Sequence, residues 1–141
     1  MKNIIKRTIL YLLLVTTASI ITCPHDSSSV IEITTSDQLQ DLLSKNQGPC
    51  AILLYMQNCS YCEKLKPIFE NLACNDQFTP ITFYVINGPQ TQAPKIIKKT
   101  INQTIEGYPT MFFFNQGKLV TTQVGGASQN NLIKKLNQLL R

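Results

Sequence analysis

Cys59-Ser60-Tyr61-Cys62 is the stretch of this chain whose residue types and spacing are suited to chemistry. Two cysteines separated by two residues can close a small disulfide ring or supply half of a metal site. The run before them, Ala51 to Met56 (AILLYM), is continuously apolar and bounded by turn residues, which predicts a strand buried on both faces. After them, Leu65, Ile68, Phe69 and Leu72 fall at i, i+3, i+4 and i+7, one apolar helical stripe. The pair is therefore expected where a buried strand gives way to a helix. There the first thiol faces unsatisfied backbone N–H groups and the positive end of the helix dipole, both of which favour thiolate over thiol. Cys59 is the candidate attacking nucleophile. Cys62, one turn inside the helix, is the candidate resolving thiol that attacks a mixed disulfide.

Two blander readings compete. Zinc needs four ligands, usually two such pairs or one pair with histidines. The single histidine, His25, falls in an expected linker, and there is no second CxxC, so no metal is expected. A permanently closed structural disulfide is the other reading; the helix-start position favours a redox-active centre instead.

The elements that must hold this pair can be read from periodicity. Val30 to Ile33 alternates and is β-branched, an expected edge strand. Ser36 is positioned to N-cap a helix carrying Leu39, Leu42 and Leu43, which Gly48-Pro49 breaks. Pro67 falls inside the helix after the cysteines and is expected to kink it. Ile81 to Ile86 reads as a second buried strand. Ala93, Ile96, Ile97 and Ile101 read as a helix with Pro94 in its first turn. A hairpin follows, Met111 to Phe114 and Leu119 to Val124, with a turn at Asn115-Gln116-Gly117. After Gly125-Gly126, Ser128 is placed to cap a last helix with Leu132, Ile133, Leu136, Leu139 and Leu140. The order βαβαβαββα implies an α/β domain, a central mixed β-sheet flanked by helices on both faces. Phe112-Phe113-Phe114 reads as core strand, because no basic cluster flanks it as a nucleic-acid surface requires.

A length of 141 residues fits one domain with its own core, and 43% hydrophobic with 15% charged residues is ordinary globular composition. The net charge of +5 is misleading. Setting aside Lys2, Lys6 and Arg7 leaves 10 basic against 8 acidic residues, a balance of +2, too weak to recruit nucleic acid. Lys98-Lys99 and Lys134-Lys135 fall on polar helix faces and read as solvated. The three early cations precede the apolar TILYLLLV and the small-residue TTASIITC, the pattern of a secretory signal with cleavage after Ala18 or Ser19. Thr8 to Thr22 spans 15 residues, short of the roughly 20 of a transmembrane helix, so an uncleaved membrane anchor is the second reading. Cys23 after Ile20-Ile21-Thr22 offers a lipid-anchored N-terminus, although Thr22 is larger than the usual small residue there. The expected organisation is a signal or anchor at 1–22, a linker at 23–29 and one domain at 30–141.

From about Val30 to Leu140 the chain resembles a single thioredoxin domain. The matching features are the strand–CxxC–helix, Pro67 five residues after the second cysteine, Gly107-Tyr108-Pro109-Thr110, and Gly125-Gly126 before the last helix. Each is weak alone; together and in order they are specific. The resemblance implies that Pro109 is cis and stands against the cysteine pair. It implies that Tyr108 and Pro109 line a groove for extended substrate, with Gly125 on its rim and Tyr61 a substrate contact from between the cysteines. Three departures stand out. Asn58 occupies the place of the family's Trp, in a loop one residue shorter. Ile52-Leu53-Leu54-Tyr55 lacks the buried acid that assists proton transfer at the resolving cysteine. The Ser-Tyr dipeptide matches neither Gly-Pro nor Pro-His pairs. Ser60 is placed to donate a hydrogen bond to Cys59, and Lys64 and Lys66 read as solvated, so an intermediate reduction potential is expected.

Cys50 and Cys74, at the far ends of strand and helix, can form a structural disulfide or remain separate buried thiols. The function implied is an exported thiol–disulfide oxidoreductase, periplasmic or secreted, acting on protein thiols and disulfides with a redox partner protein. It would act without bound cofactor, as a monomer, and with possible membrane attachment through the N-terminus. Two alternatives remain: a non-catalytic peptide-binding module with a structural disulfide, and a reductase dedicated to cytochrome c assembly. The latter is disfavoured by the lack of an insertion between Cys62 and Pro109.

Overall fold

Residues 29–46 and 48–141 are described by the computed structural model; the expected signal 1–22, with Cys23 and His25, lies outside them. Within that range the strands are β1 (Val30–Ile33), β2 (Cys50–Tyr55), β3 (Thr82–Asn87), β4 (Thr110–Asn115) and β5 (Lys118–Val124). The helices are α1 (Ser36–Lys45), α2 (Ser60–Ala73), α3 (Ala93–Ile101) and α4 (Gln129–Leu139). A 3-10 turn, Asp76–Phe78, joins α2 to β3. The sheet order is β1-β3-β2-β4-β5, with β1, β3 and β2 parallel, β4 antiparallel to β2, and β5 antiparallel to β4. The expected mixed sheet is present, and β1 is the edge strand it was read to be.

Alternation along the two central strands decides the layering, because successive side chains of a strand point to opposite faces. Ala51 and Leu53 of β2, with Met111 and Phe113 of β4, join Leu65, Phe69 and Leu72 of α2 and Leu132, Leu136 and Leu139 of α4. Cys50, Ile52 and Leu54, with Phe112 and Phe114, join Leu39 of α1 and Ala93 and Ile97 of α3. The sheet thus separates two cores. Phe69 meets Phe83 edge to face, ring centroids 5.2 Å apart, a geometry that adds about 0.5–1.5 kcal/mol beyond area burial. The Phe112–Phe114 run is core, as read from sequence. Leu140, in contrast, is exposed beyond the end of α4.

Two caps and a turn differ from expectation or refine it. Thr35, not Ser36, caps α1: its hydroxyl accepts from the Gln38 N–H at 3.2 Å, and the Gln38 side chain accepts from the Thr35 N–H at 3.2 Å. Gln38 stands three residues after Thr35, so this reciprocal pair fixes the cap there. Ser36 instead donates to the Thr91 carbonyl at 3.0 Å, tying α1 to the approach of α3. In the hairpin Asn115 pairs with Lys118, leaving a two-residue loop of Gln116 (φ 50°) and Gly117 (φ 72°). Two left-handed residues match the right-handed strand twist. Ser128 caps α4 as expected.

Candidate active site

Strand β2 delivers the chain to the site and releases it at Tyr55. Asn58 then adopts φ 57°, the left-handed region that asparagine tolerates better than most side chains. That reversal presents Cys59 as the N-cap of α2, where its sulfur accepts from the Cys62 N–H at 3.2 Å. Cys59 and Cys62 are joined as a disulfide, with Cα atoms 5.2 Å apart. In this state Cys59 retains 7% of its surface and Cys62 3%. Only a sliver of Cys59 therefore meets solvent in the oxidised state.

Across from the pair the Tyr108–Pro109 peptide is cis, as the resemblance implied. The Tyr108 carbonyl oxygen lies 3.8 Å from Cys59 Sγ, a distance at which the reduced thiol can donate to it weakly. The Pro109 carbonyl accepts from the Gly125 N–H at 2.8 Å, and Gly125 takes φ 77°, a conformation open to glycine. Tyr61 is 64% exposed. Its ring borders Gly126, where a Cβ would stand 3.6 Å from Tyr61 Cδ1. The structure thus brings Cys59, Cys62 and Tyr108 together directly, Pro109 through its cis peptide bond to Tyr108, Gly125 through Pro109, and Tyr61 through Gly126. Cys59 takes the Cys62 N–H and the Tyr108 carbonyl as neighbours, not the hydroxyl of Ser60, which is exposed as the first residue of α2.

Ile52, Leu53 and Leu54 are fully buried hydrocarbon, so β2 offers no acid to Cys62. What adjoins Cys62 instead is a solvent-open hollow of about 250 Å³, lined also by Tyr55, Met56, Asn58, Glu63 and Lys66. Sequence reasoning missed this space, and it misjudged Lys66. The Lys66 ammonium sits 5.1 Å from the centre of the Tyr55 ring and 3.9 Å from a Glu70 carboxylate oxygen. Such a cation over a ring contributes about 0.5–1 kcal/mol at an exposed site. The Tyr55 hydroxyl donates to Glu32 at 3.2 Å. Burial, and then the Glu32 charge and its hydrogen bond, raise the Tyr55 hydroxyl above the ordinary phenol range.

The remaining cysteines settle one open reading. Cys50 is a buried free thiol, with Asn46 Nδ2 donating to its sulfur at 2.9 Å. Burial pushes its pKa up to about 12. Cys74, the C-cap of α2, is disulfide-bonded, but not to Cys50. The physical reason is the sheet: Cys50 points into the α1–α3 core, whereas Cys74 follows α2 on the opposite face.

Comparison with known proteins agrees with this geometry. The thioredoxin family model matches residues 30–138. The chain is 28% identical over 109 residues to the thioredoxin domain-containing protein 5 homolog of Drosophila melanogaster, covering 77% of this chain. It spans only 26% of that relative's length. It is 26% identical over 115 residues to the thioredoxin of Acidithiobacillus ferridurans, covering 80% of this chain and 99% of that one. Among solved structures, the thioredoxin of Malassezia sympodialis superposes with a TM-score of 0.65 at 22% identity, covering 79% of this chain and 91% of that one. That structural match is a likeness of fold.

Proposed function

Since the chain belongs to the thioredoxin family, we propose that it is an exported thiol–disulfide oxidoreductase of protein substrates, with Cys59 as nucleophile and Cys62 as resolving thiol. The observation that carries this reading is the Cys59 sulfur at the N-cap of α2, receiving the Cys62 N–H at 3.2 Å and closing onto the Cys62 sulfur. A group that stabilises negative charge on that sulfur lowers the thiol pKa and raises its thiolate population.

In the reducing direction the Cys59 thiolate attacks one sulfur of a substrate disulfide. The other substrate sulfur leaves as a thiolate and takes a proton from solvent. Cys62 then gives up its proton and attacks Cys59 Sγ, releasing the second substrate thiol and leaving the Cys59–Cys62 disulfide. Two electrons pass from the pair to the substrate, and oxidation is the same path reversed. With hydrocarbon at Ile52, Leu53 and Leu54, the Cys62 proton leaves through the hollow beside Glu63 and Lys66. Tyr61, Tyr108, Pro109 and Gly125 form the wall against which the substrate segment lies.

The family's range runs from about −270 mV for thioredoxin to about −120 mV for a strong oxidant, and no cation stands between the cysteines to push the potential to the upper end. Equilibrating the pair with glutathione measures it. A value near −270 mV makes the protein a reductase, and one above about −180 mV an oxidant or isomerase. A pair that does not exchange with glutathione removes the enzyme reading and leaves a peptide-binding module. Export rests on the charged and apolar pattern of residues 1–22. Mass spectrometry of the protein from its native host tests it: cleavage after Ala18 or Ser19 supports a periplasmic or secreted protein. An intact N-terminus in the membrane fraction supports a tether, and an intact, soluble cytoplasmic protein overturns export.

A further inference from the structure

We propose that Gly88 is a positioning residue for the exchange site, a seat for the Tyr108 ring that fixes one wall of the groove relative to the cysteine pair. The inference rests on the oxidoreductase reading above. Gly88 is the first residue after β3, and its backbone is held on both sides. Its N–H donates to the carbonyl of Tyr55, the last residue of β2, at 2.9 Å. Its carbonyl accepts from the N–H of Ala93, the first residue of α3, at 3.0 Å. It is buried, and its φ lies outside the left-handed region. Conformation therefore does not demand glycine at this position.

Space does. A Cβ added to Gly88 would stand 2.6 Å from Tyr108 Cε1 and 2.8 Å from Cζ, with the Tyr108 hydroxyl oxygen also in contact. Real Cβ atoms do not approach so closely, and the atoms they would meet belong to one rigid ring. The ring cannot yield at its tip alone. It is half-buried and packs on the α1–α3 core, so it swings aside only against that packing or together with the backbone that carries it.

That backbone is the wall of the site. The Tyr108 carbonyl is the oxygen 3.8 Å from Cys59 Sγ, and the Pro109 carbonyl is the acceptor for Gly125. On its other side Gly88 grips Tyr55, from which the chain runs through Asn58 to Cys59. One residue with no side chain thus registers the two segments that face each other across the sulfur.

The test is a double-mutant cycle in the full-length protein, with a disulfide-bonded peptide as substrate. Gly88→Ala is expected to raise KM for that peptide about ten-fold with little change in kcat, the signature of a displaced binding wall. Tyr108→Leu removes the atoms the new Cβ meets and keeps apolar bulk for the core. In that background Gly88→Ala is expected to add nothing further, and this non-additivity identifies the ring as the target. Equal losses in both backgrounds, or no loss in the wild-type background, overturn the inference. Should Gly88→Ala fail to fold alone, the double variant decides: turnover equal to Tyr108→Leu supports the seat, and a second unfolded protein overturns it. A wild-type protein that exchanges no disulfide sinks the oxidoreductase reading itself and takes this inference with it. A wild type that turns over while the variants behave additively sinks only the inference.

Discussion

Cys50 and Cys59 lie at opposite ends of the same segment, one opening β2 and the other standing four residues past its exit, and their surroundings drive their chemistry apart. Cys50 faces the α1–α3 core with one amide donor near its sulfur, and loss of hydration lifts its pKa to about 12. Cys59 faces a helix N-terminus, whose unpaired N–H groups favour the anion. Residue type is identical, so position relative to sheet and helix decides which thiol can react. A strand buried on both faces makes the inert site; the point where it stops makes the other.

The strongest way to break this contrast is to exchange its members. Cys59→Ser is expected to reduce peptide disulfide exchange to background, and Cys50→Ala to leave the rate within about two-fold, because Cys59 is the proposed nucleophile and Cys50 is buried in the core. Cys62→Ser should instead stop the cycle half-way, and mass spectrometry should find the peptide attached to Cys59. The next largest effect is in alkylation of the reduced protein at pH 7. A thiol with pKa about 12 is ionised about one part in 10⁵, against a few per cent for an ordinary cysteine. Iodoacetamide should label Cys59 about a thousand-fold faster or more, and comparable rates would refute the contrast.

Alkaline stability sharpens it further. In the unfolded chain Cys50 ionises near 9.0, whereas the folded thiol stays protonated to about 12. The unfolded state therefore loses a proton first as pH rises, and stability contributed by the neutral thiol is complete below pH 9 and lost by about pH 12. In the oxidised protein Cys59 and Cys62 do not titrate. Urea unfolding of the wild type should accordingly weaken more steeply over that range than unfolding of Cys50→Ala. The smallest effect concerns the turn before Cys59. Asn58→Val forces a branched side chain into a left-handed residue at a cost of about 1–2 kcal/mol, while Asn58→Gly should cost little. A tolerated Val would show that the turn does not set the position of Cys59.

Most of the fold was legible because the signal is periodic. β2 and β4 read as continuous apolar runs, α2 and α3 as 3.6-residue stripes, and each element appears within a residue or two of its expected bounds. The cap of α1 was misread because Thr34-Thr35-Ser36 offers three hydroxyls, and only Gln38 reaching back selects Thr35. The Cys50–Cys74 pairing stayed open because sequence spacing does not say on which face of the sheet a helix docks. Alternation along β2 placed Cys50 with Ile52 and Leu54, but the face taken by α2 had to come from the structure. At the site, the cysteine pair and Pro109 were legible through motifs, whereas the hollow beside Cys62 is an absence between loop and helix that no residue pattern encodes. Gly88 was equally silent, since Gly88-Pro89 reads as an ordinary turn and its partner, Tyr108, lies 20 residues downstream.

The antiparallel entry of β4 beside β2 has a consequence for when the site exists during folding. The sulfur of Cys59 and the carbonyl of Tyr108 are 49 residues apart in the chain, and they meet only after α2, β3 and α3 have been laid down and β4 has paired with β2. Local structure suffices to start α2 and so to ready the nucleophile, but the wall it works against is a long-range contact and arrives late. On the proposed function, a growing chain therefore carries its cysteine pair before it carries a groove. Selectivity for substrate, unlike reactivity toward small thiols, then reports that the whole sheet has closed.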